Sequence, residues 1–259
     1  MSATRWPRVG RIVVLALAAA AVAGTAVAGP SGQAAVVKPL PKPLTGYTLA
    51  KTFTGADIAG PAWNAPMNNP GGCLPNPAAI SLTKSGAASM RTTGEAGDCV
   101  EAESPHTYPT APGYVYEASV YDSSFRDWGG YWSYGSNWPD GGELDVVESL
   151  RGASYVSYHY TGNATVSTVP WHRALTSAGQ DITTGWHIVD VAYFAQKIEI
   201  FYDGHLYVTI TGKYITTTPA WIVFGDGSCQ SATYSVCAAD SDLGVAGNFE
   251  VKWLRIFKR

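Results

Sequence analysis

Glycine and proline interrupt every stretch after the first 28 residues that is long enough to make a helix, with 28 Gly and 16 Pro in 259 residues. Between them lie short runs in which apolar and polar residues alternate, the period-2 pattern of half-buried strands. Tyr114 to Tyr121 places Tyr114, Tyr116, Ala118 and Val120 on one side. Trp186 to Phe194 and Lys197 to Tyr202 have the same character. The second of these meets Asp203-Gly204 and resumes as Leu206 to Ile210, which predicts a tight hairpin. Phe249 to Phe257 ends the chain with apolar and charged residues alternating. No helix is expected beyond the N-terminal segment, and no internal repeat is present. Short strands separated by turn residues specify an antiparallel β-sandwich or barrel.

The N-terminus has the parts of a secretory signal. Arg5, Arg8 and Arg11 precede an apolar, Ala-rich run from Ile12 to Val27, and Ala26-Val27-Ala28 suits cleavage. Residues 1–28 are therefore expected to be a signal peptide, 29–46 a linker containing Pro and Gly, and 47–259 the functional domain. No later apolar run is long enough to span a bilayer, so no membrane partner is expected after cleavage. Removal of residues 1–28 leaves 231 residues, enough for one large domain. It also removes three arginines and no acid, taking the net charge from -3 to about -6. An acidic chain without basic runs is not expected to bind nucleic acid. Cys73, Cys99, Cys229 and Cys237 in an exported protein predict two disulfides. Four cysteines allow three connectivities, of which Cys73–Cys99 with Cys229–Cys237 is the simplest. Their spacing is not that of a zinc site, and neither a metal nor a cofactor is expected.

Against a background in which only 14% of residues are charged, Glu143, Asp145 and Glu148 fall within one apolar, β-prone run. Acids destabilise a half-buried strand unless something offsets them. Simple alternation puts Glu143 and Asp145 on one face and Glu148 on the other. One residue bulging at Val146 or Val147 would return Glu148 to the first face. The two glutamates would then be spaced like residues four apart, with Cα atoms about 13 Å apart at ~3.3 Å per residue. Side chains leaning along the strand would leave about 5–6 Å between carboxyls. That suits the ~5–5.5 Å of retaining glycosidases better than the ~6.5–9.5 Å of inverting ones. Asp145 between them would raise a neighbour's pKa and keep one glutamate protonated. Trp128, Trp132, Trp138 and Trp171 stand beside Gly, Pro, Asp or Asn in loop-like segments, where aromatic faces suit stacking on sugar rings.

The run Trp138-Pro139-Asp140-Gly141-Gly142-Glu143-Leu144-Asp145-Val146-Val147-Glu148 resembles the active-site strand of family 16 glycoside hydrolases, the laminarinase-like group with a bulged Glu-x-Asp-x-x-Glu signature. Gly113 to Ala118 resembles the strand before that family's tryptophan-rich loop, and Trp128-Gly129-Gly130-Tyr131-Trp132 the loop itself. Tyr158-His159-Tyr160 is similar to its histidine-bearing strand, and Gly185 to Gly204 to its late hairpin. The resemblance implies a β-jelly roll with an open concave cleft and a retaining mechanism. Glu143 would be nucleophile, Glu148 acid/base and Asp145 the group that tunes them. Trp132 and Trp138 would border the sugar subsites, and His159 the leaving-group side. Lys252 stands where many relatives carry the Asp of a structural calcium site, and a lysine cannot ligate calcium.

The expected function is that of a secreted, extracellular, monomeric endo-glycosidase whose partner is a polysaccharide, β-1,3-glucan first. The bulged signature is shared with galactan-cleaving members, so agarans, carrageenans and β-1,3-galactans stay open, as does transglycosylation. A non-catalytic lectin-like module is the rival from another class, but it needs the aromatic platform and not three aligned acids. Ser133 lacks the Gly-x-Ser-x-Gly spacing of a serine hydrolase.

Overall fold

Strand alternation runs through nearly the whole of the described chain. The computed structural model describes residues 44–63, 77–95, 98–124, 126–138, 140–150, 153–160, 173–174, 182–227 and 245–259. The strands, in chain order, are β1 (Thr48–Thr54), β2 (Ile80–Leu82), β3 (Ala88–Arg91), β4 (Cys99–Glu103), β5 (Tyr114–Asp122), β6 (Gly130–Gly135) and β7 (Glu143–Leu150). They continue as β8 (Ala153–His159), β9 (Arg173–Ala174), β10 (His187–Phe194), β11 (Lys197–Tyr202), β12 (His205–Thr211), β13 (Ala220–Gly227) and β14 (Asn248–Lys258). One sheet has the order β12-β11-β10-β5-β14-β3-β2, with β1 also on β14, and the other the order β4-β13-β6-β7-β8-β9. The pairings are antiparallel.

The two sheets pack as a sandwich because each offers one apolar face. Tyr116, Ala118 and Val120 of β5, Val189 and Val191 of β10, and Phe249, Val251, Leu254 and Ile256 of β14 supply one side of the core. Leu144, Val146, Val147, Val156, Tyr158, Ile222 and Phe224 belong to the same cluster from the other sheet. Burial of such side chains, at about 1.5–3 kcal/mol each, is the main force holding the layers together. The predicted hairpin joins β11 to β12. Its corner residues, Asp203 and Gly204, both have positive φ (48° and 81°), as a type I′ turn requires. Asp203 also accepts from the backbone N–H of Ile188 at 2.9 Å and lies 2.7 Å from His187 Nδ1, tying the turn to β10.

One expectation needs correction. A single helical turn, α1 (Gly55–Ile58), follows β1. Thr54 caps it: its hydroxyl accepts from the Asp57 N–H, and the Asp57 carboxylate accepts from the Thr54 N–H at 2.7 Å. This reciprocal capping box satisfies donors that a free helix end would leave bare, so a turn too short to show periodicity still forms. Leu44 packs with Val115, Ala192, Phe201 and Phe257 on a second, smaller cluster. The predicted signal segment, Trp171, Cys73, Cys229 and Cys237 lie outside the described residues. Cys99, at the start of β4, is disulfide-bonded.

Candidate active site

Strand β7 carries the bulge that the acid spacing demands. Against β6, Tyr134 pairs with Glu143, Trp132 with Asp145, Tyr131 with Val147 and Gly130 with Glu148, so Val146 has no opposite number. Against β8, His159 pairs with Glu143, Ser157 with Asp145 and Tyr155 with Glu148, so three steps on β7 match two on β8. Val146 and Val147 are both buried, and Glu148 returns to the outward face beside Glu143 and Asp145.

Directly paired residues project from the same side of a sheet, which gives this face three rows. One reads Trp221, Tyr134, Glu143, His159, and the next Glu103, Val223, Trp132, Asp145, Ser157. The third reads Glu101, Gly225, Gly130, Glu148, Tyr155. Each expected catalytic glutamate has an indole donor. Trp138 Nε1 donates to Glu143 Oε2 at 3.0 Å, and Trp128 Nε1 donates to Glu148 Oε1 at 3.3 Å. Asp145 Oδ2 lies 2.9 Å from His159 Nε2. The Tyr134 hydroxyl donates to Glu103.

Trp128 reaches Glu148 from a backbone conformation that side chains seldom adopt, φ 51°. Buried Asp127 holds that turn. Its carboxylate accepts from the Gly129 N–H at 3.4 Å and from the Ser123 hydroxyl at 3.1 Å, and its carbonyl accepts from the Gly227 N–H at 3.2 Å.

The electrostatics favour protonated carboxyls. Burial, then the Asp145 charge, pushes Glu143 up to about 7, against the pull of the Trp138 N–H and of His159. Burial and Asp145 likewise push Glu148 up to about 8, against His159 and Trp128. Burial of the His159 ring works against its charged form. The hydrogen bond to Asp145, its charge and the charges of the two glutamates outweigh this and raise His159 to about 9. The face therefore holds one imidazolium among three acids, with two glutamates titrating near neutrality. Such a pair can divide the roles of nucleophile and proton donor. Among the described residues, no group of three or more His, Cys, Asp or Glu is arranged to hold a metal ion.

All seven residues expected at the site, Glu143, Asp145, Glu148, Trp128, Trp132, Trp138 and His159, meet on this face or its rim. Trp128 and Trp138, read from sequence as stacking surfaces, also turn their N–H groups on the acids. Tyr134, Trp221, Glu101 and Glu103 were not anticipated. The signal for the two glutamates was the alternation in Cys99-Val100-Glu101-Ala102-Glu103, which puts both on one side.

No protein-family model matches the chain, and no curated protein matches it by sequence. Solved structures do match in fold. The catalytic domain of an endo-1,3-β-glucanase (laminarinase) from Thermotoga petrophila is similar at TM-score 0.61 and 14% identity, over 82% of this chain and 98% of that one. SCLam, a non-specific endo-β-1,3(4)-glucanase of family GH16, is similar at TM-score 0.58 and 14% identity, over 86% and 94%. An endo-acting O-glycanase from the human gut microbiota is similar at TM-score 0.54 and 16% identity, over 69% and 81%. The β-sandwich is thus that of the family 16 glycoside hydrolases.

Proposed function

We propose that this chain is a secreted, retaining endo-glycosidase that cleaves internal β-linkages of a polysaccharide, β-1,3-glucan first, by double displacement. The observation that carries this reading is the bulge at Val146, which sets Glu143, Asp145 and Glu148 side by side. In the proposed reaction ionised Glu143 attacks the anomeric carbon while Glu148 protonates the departing glycosidic oxygen. A glycosyl ester on Glu143 results. Glu148, now a base, takes a proton from water as that water displaces Glu143, and both carboxyls regain their starting states. Burial, with the charges of Asp145 and of ionised Glu143, keeps Glu148 protonated while Glu143 reacts, against the pull of the His159 imidazolium. The fold shared with endo-1,3-β- and endo-1,3(4)-β-glucanases supports the substrate class, and the N-terminal signal pattern supports export to an extracellular polymer.

The test is reducing-end release from laminarin, mixed-linkage β-glucan, agarose, κ-carrageenan and β-1,3-galactan, with Glu143→Gln as control. Glu143→Gln is expected to lower kcat by at least about 10³-fold with the melting temperature retained. Azide added to Glu143→Ala should yield a glycosyl azide of inverted configuration. Wild-type activity in Glu143→Gln would sink the assignment, and binding without cleavage of any polymer would point to a lectin.

A further inference from the structure

Trp128 meets Glu148 from a turn with φ 51°, a left-handed conformation that a bulky residue keeps only where its neighbours over-determine it. Those neighbours converge on Asp127, which is wholly buried. Its carboxylate accepts from the Gly129 N–H and from the Ser123 hydroxyl, and Ser123 Oγ in turn accepts from the Asn248 N–H at 3.0 Å. Its carbonyl accepts from the Gly227 N–H. One aspartate therefore fastens the turn to the ends of β5, β13 and β14. On its other side the Gly129 carbonyl accepts from the Ser149 N–H at 2.9 Å, one residue beyond Glu148. Two glycines make room for this packing. A Cβ on Gly247 would fall 2.3 Å from Asp127 Cβ, and one on Gly129 would fall 2.6 Å from Oδ2 of buried Asp122. The turn is thus held from every side that the described residues supply.

Resting on the glycosidase reading, we propose that Asp127 is a positioning residue for the acid/base Glu148, acting through the Trp128 indole. An indole N–H only donates, so at Oε1 of Glu148 it leaves Oε2 to carry the proton that passes to the departing oxygen. As that proton leaves, negative charge gathers on the carboxylate and the bond from Trp128 becomes charge-assisted. The bond is then stronger in the transition state than in the ground state, which is the condition for acceleration. Freed from Asp127, the turn relaxes toward an ordinary φ and carries the indole away from Glu148. Glu143 is insulated from this change. Its own donor, Trp138, hangs from a separate turn, closed by the Trp138 N–H on the Gly135 carbonyl at 2.9 Å. The consequence is confined to proton donation.

The test uses the full chain, Asp127→Ala, Trp128→Phe and the double variant. Laminarin, whose leaving group needs the proton, is compared with a dinitrophenyl β-glycoside, whose leaving group does not. In Asp127→Ala the ratio of kcat/KM on laminarin to that on the aryl glycoside should fall by about threefold to tenfold. The alkaline limb on laminarin should move up by about half to one pH unit with the acidic limb unmoved. Neither change should appear when Asp127→Ala is added to Trp128→Phe. That cycle cancels the direct effect of Asp127 on Asp122, Asp226 and Tyr121, and Glu143, Asp145 and His159 stay around Glu148 throughout. An unchanged ratio, or the same loss in the Trp128→Phe background, overturns the proposal. The Trp128 indole N–H resonance, identified by its loss in Trp128→Phe, reads the link without turnover. It should shift as Glu148 titrates in the wild type and stop doing so in Asp127→Ala. An unaltered titration in Asp127→Ala overturns the proposal, whether or not the protein hydrolyses glycosides. Loss of that titration in a protein that cleaves neither substrate upholds the positioning and overturns the catalytic reading alone. Ser123→Ala removes one of the donors to Asp127. It should shift the ratio and the resonance in the same sense, and it carries the test if Asp127→Ala does not fold.

Discussion

At the scale of single residues, the two indole donors divide the pH dependence between them. Activity needs Glu143 ionised and Glu148 protonated, so kcat/KM should fall below about 7, as Glu143 protonates, and above about 8, as Glu148 ionises. Each tryptophan N–H stabilises the charged form of its own glutamate. Trp138→Phe should therefore move only the acidic limb to higher pH, and Trp128→Phe only the alkaline limb, each by about half to one unit. The full kcat/KM profile of both variants reads this. Movement of both limbs together in either variant would mean that the donors act on the pair and not on separate acids. Asp127 enters only through the backbone turn that presents Trp128.

At the scale of elements, β7 owes its chemistry to one residue of register. Deleting Val146 should restore simple alternation with Glu148 still on the outward face, so that a regular strand presents all three acids and hydrolysis survives. Adding Glu148→Val to that deletion should abolish hydrolysis and leave the melting temperature little changed. Loss of hydrolysis in the deletion alone would show that the bulge itself, and not only a shared face, sets the reacting geometry. This element was legible in the sequence because Glu143, Asp145 and Glu148, at this spacing, share a face only if one residue between them bulges. β5, β10, β11, β12 and β14 were legible for a simpler reason, since each is long enough to display alternation. The strands from Thr48 to Glu103 were harder to read. β2 and β3 are short, and β1 has only one buried residue, so no periodic pattern stands out from its surroundings. Glu101 and Glu103 stayed hidden because what places them beside the site is the pairing of β4 with β13, a contact between residues more than 100 positions apart.

At the scale of the whole molecule, buried acids beyond the active site tie stability to pH. Burial, then the charges of Glu117 and Asp203, pushes Asp190 up to about 8, and neither of its carboxylate oxygens has a hydrogen-bond partner among the described residues. Burial and the Asp127 charge push Asp226 up to about 8, and burial pushes Asp127 up to about 6. At neutral pH Asp190 and Asp226 are protonated in the fold, and all three groups titrate near 3.9 when unfolded. The stability they permit is therefore complete below about pH 4 and is lost as pH rises through about 6 for Asp127 and about 8 for Asp190 and Asp226. Asp190→Asn should match the wild type near pH 4 and exceed it by several kcal/mol, about 5 at most, at pH 8 in denaturant unfolding. Parallel curves for the two proteins would refute the linkage. The odd–even pattern of the six-stranded sheet has a further consequence, for descent with modification. Inward residues such as Leu144, Val156 and Phe224 hold the layers together, while half-buried outward ones such as Glu101, Trp221 and Tyr155 meet whatever lies on the face. Heritable change at the outward positions leaves the core packing in place, so a lineage built on this scaffold is free to exchange one polymer for another while its three acids stay put.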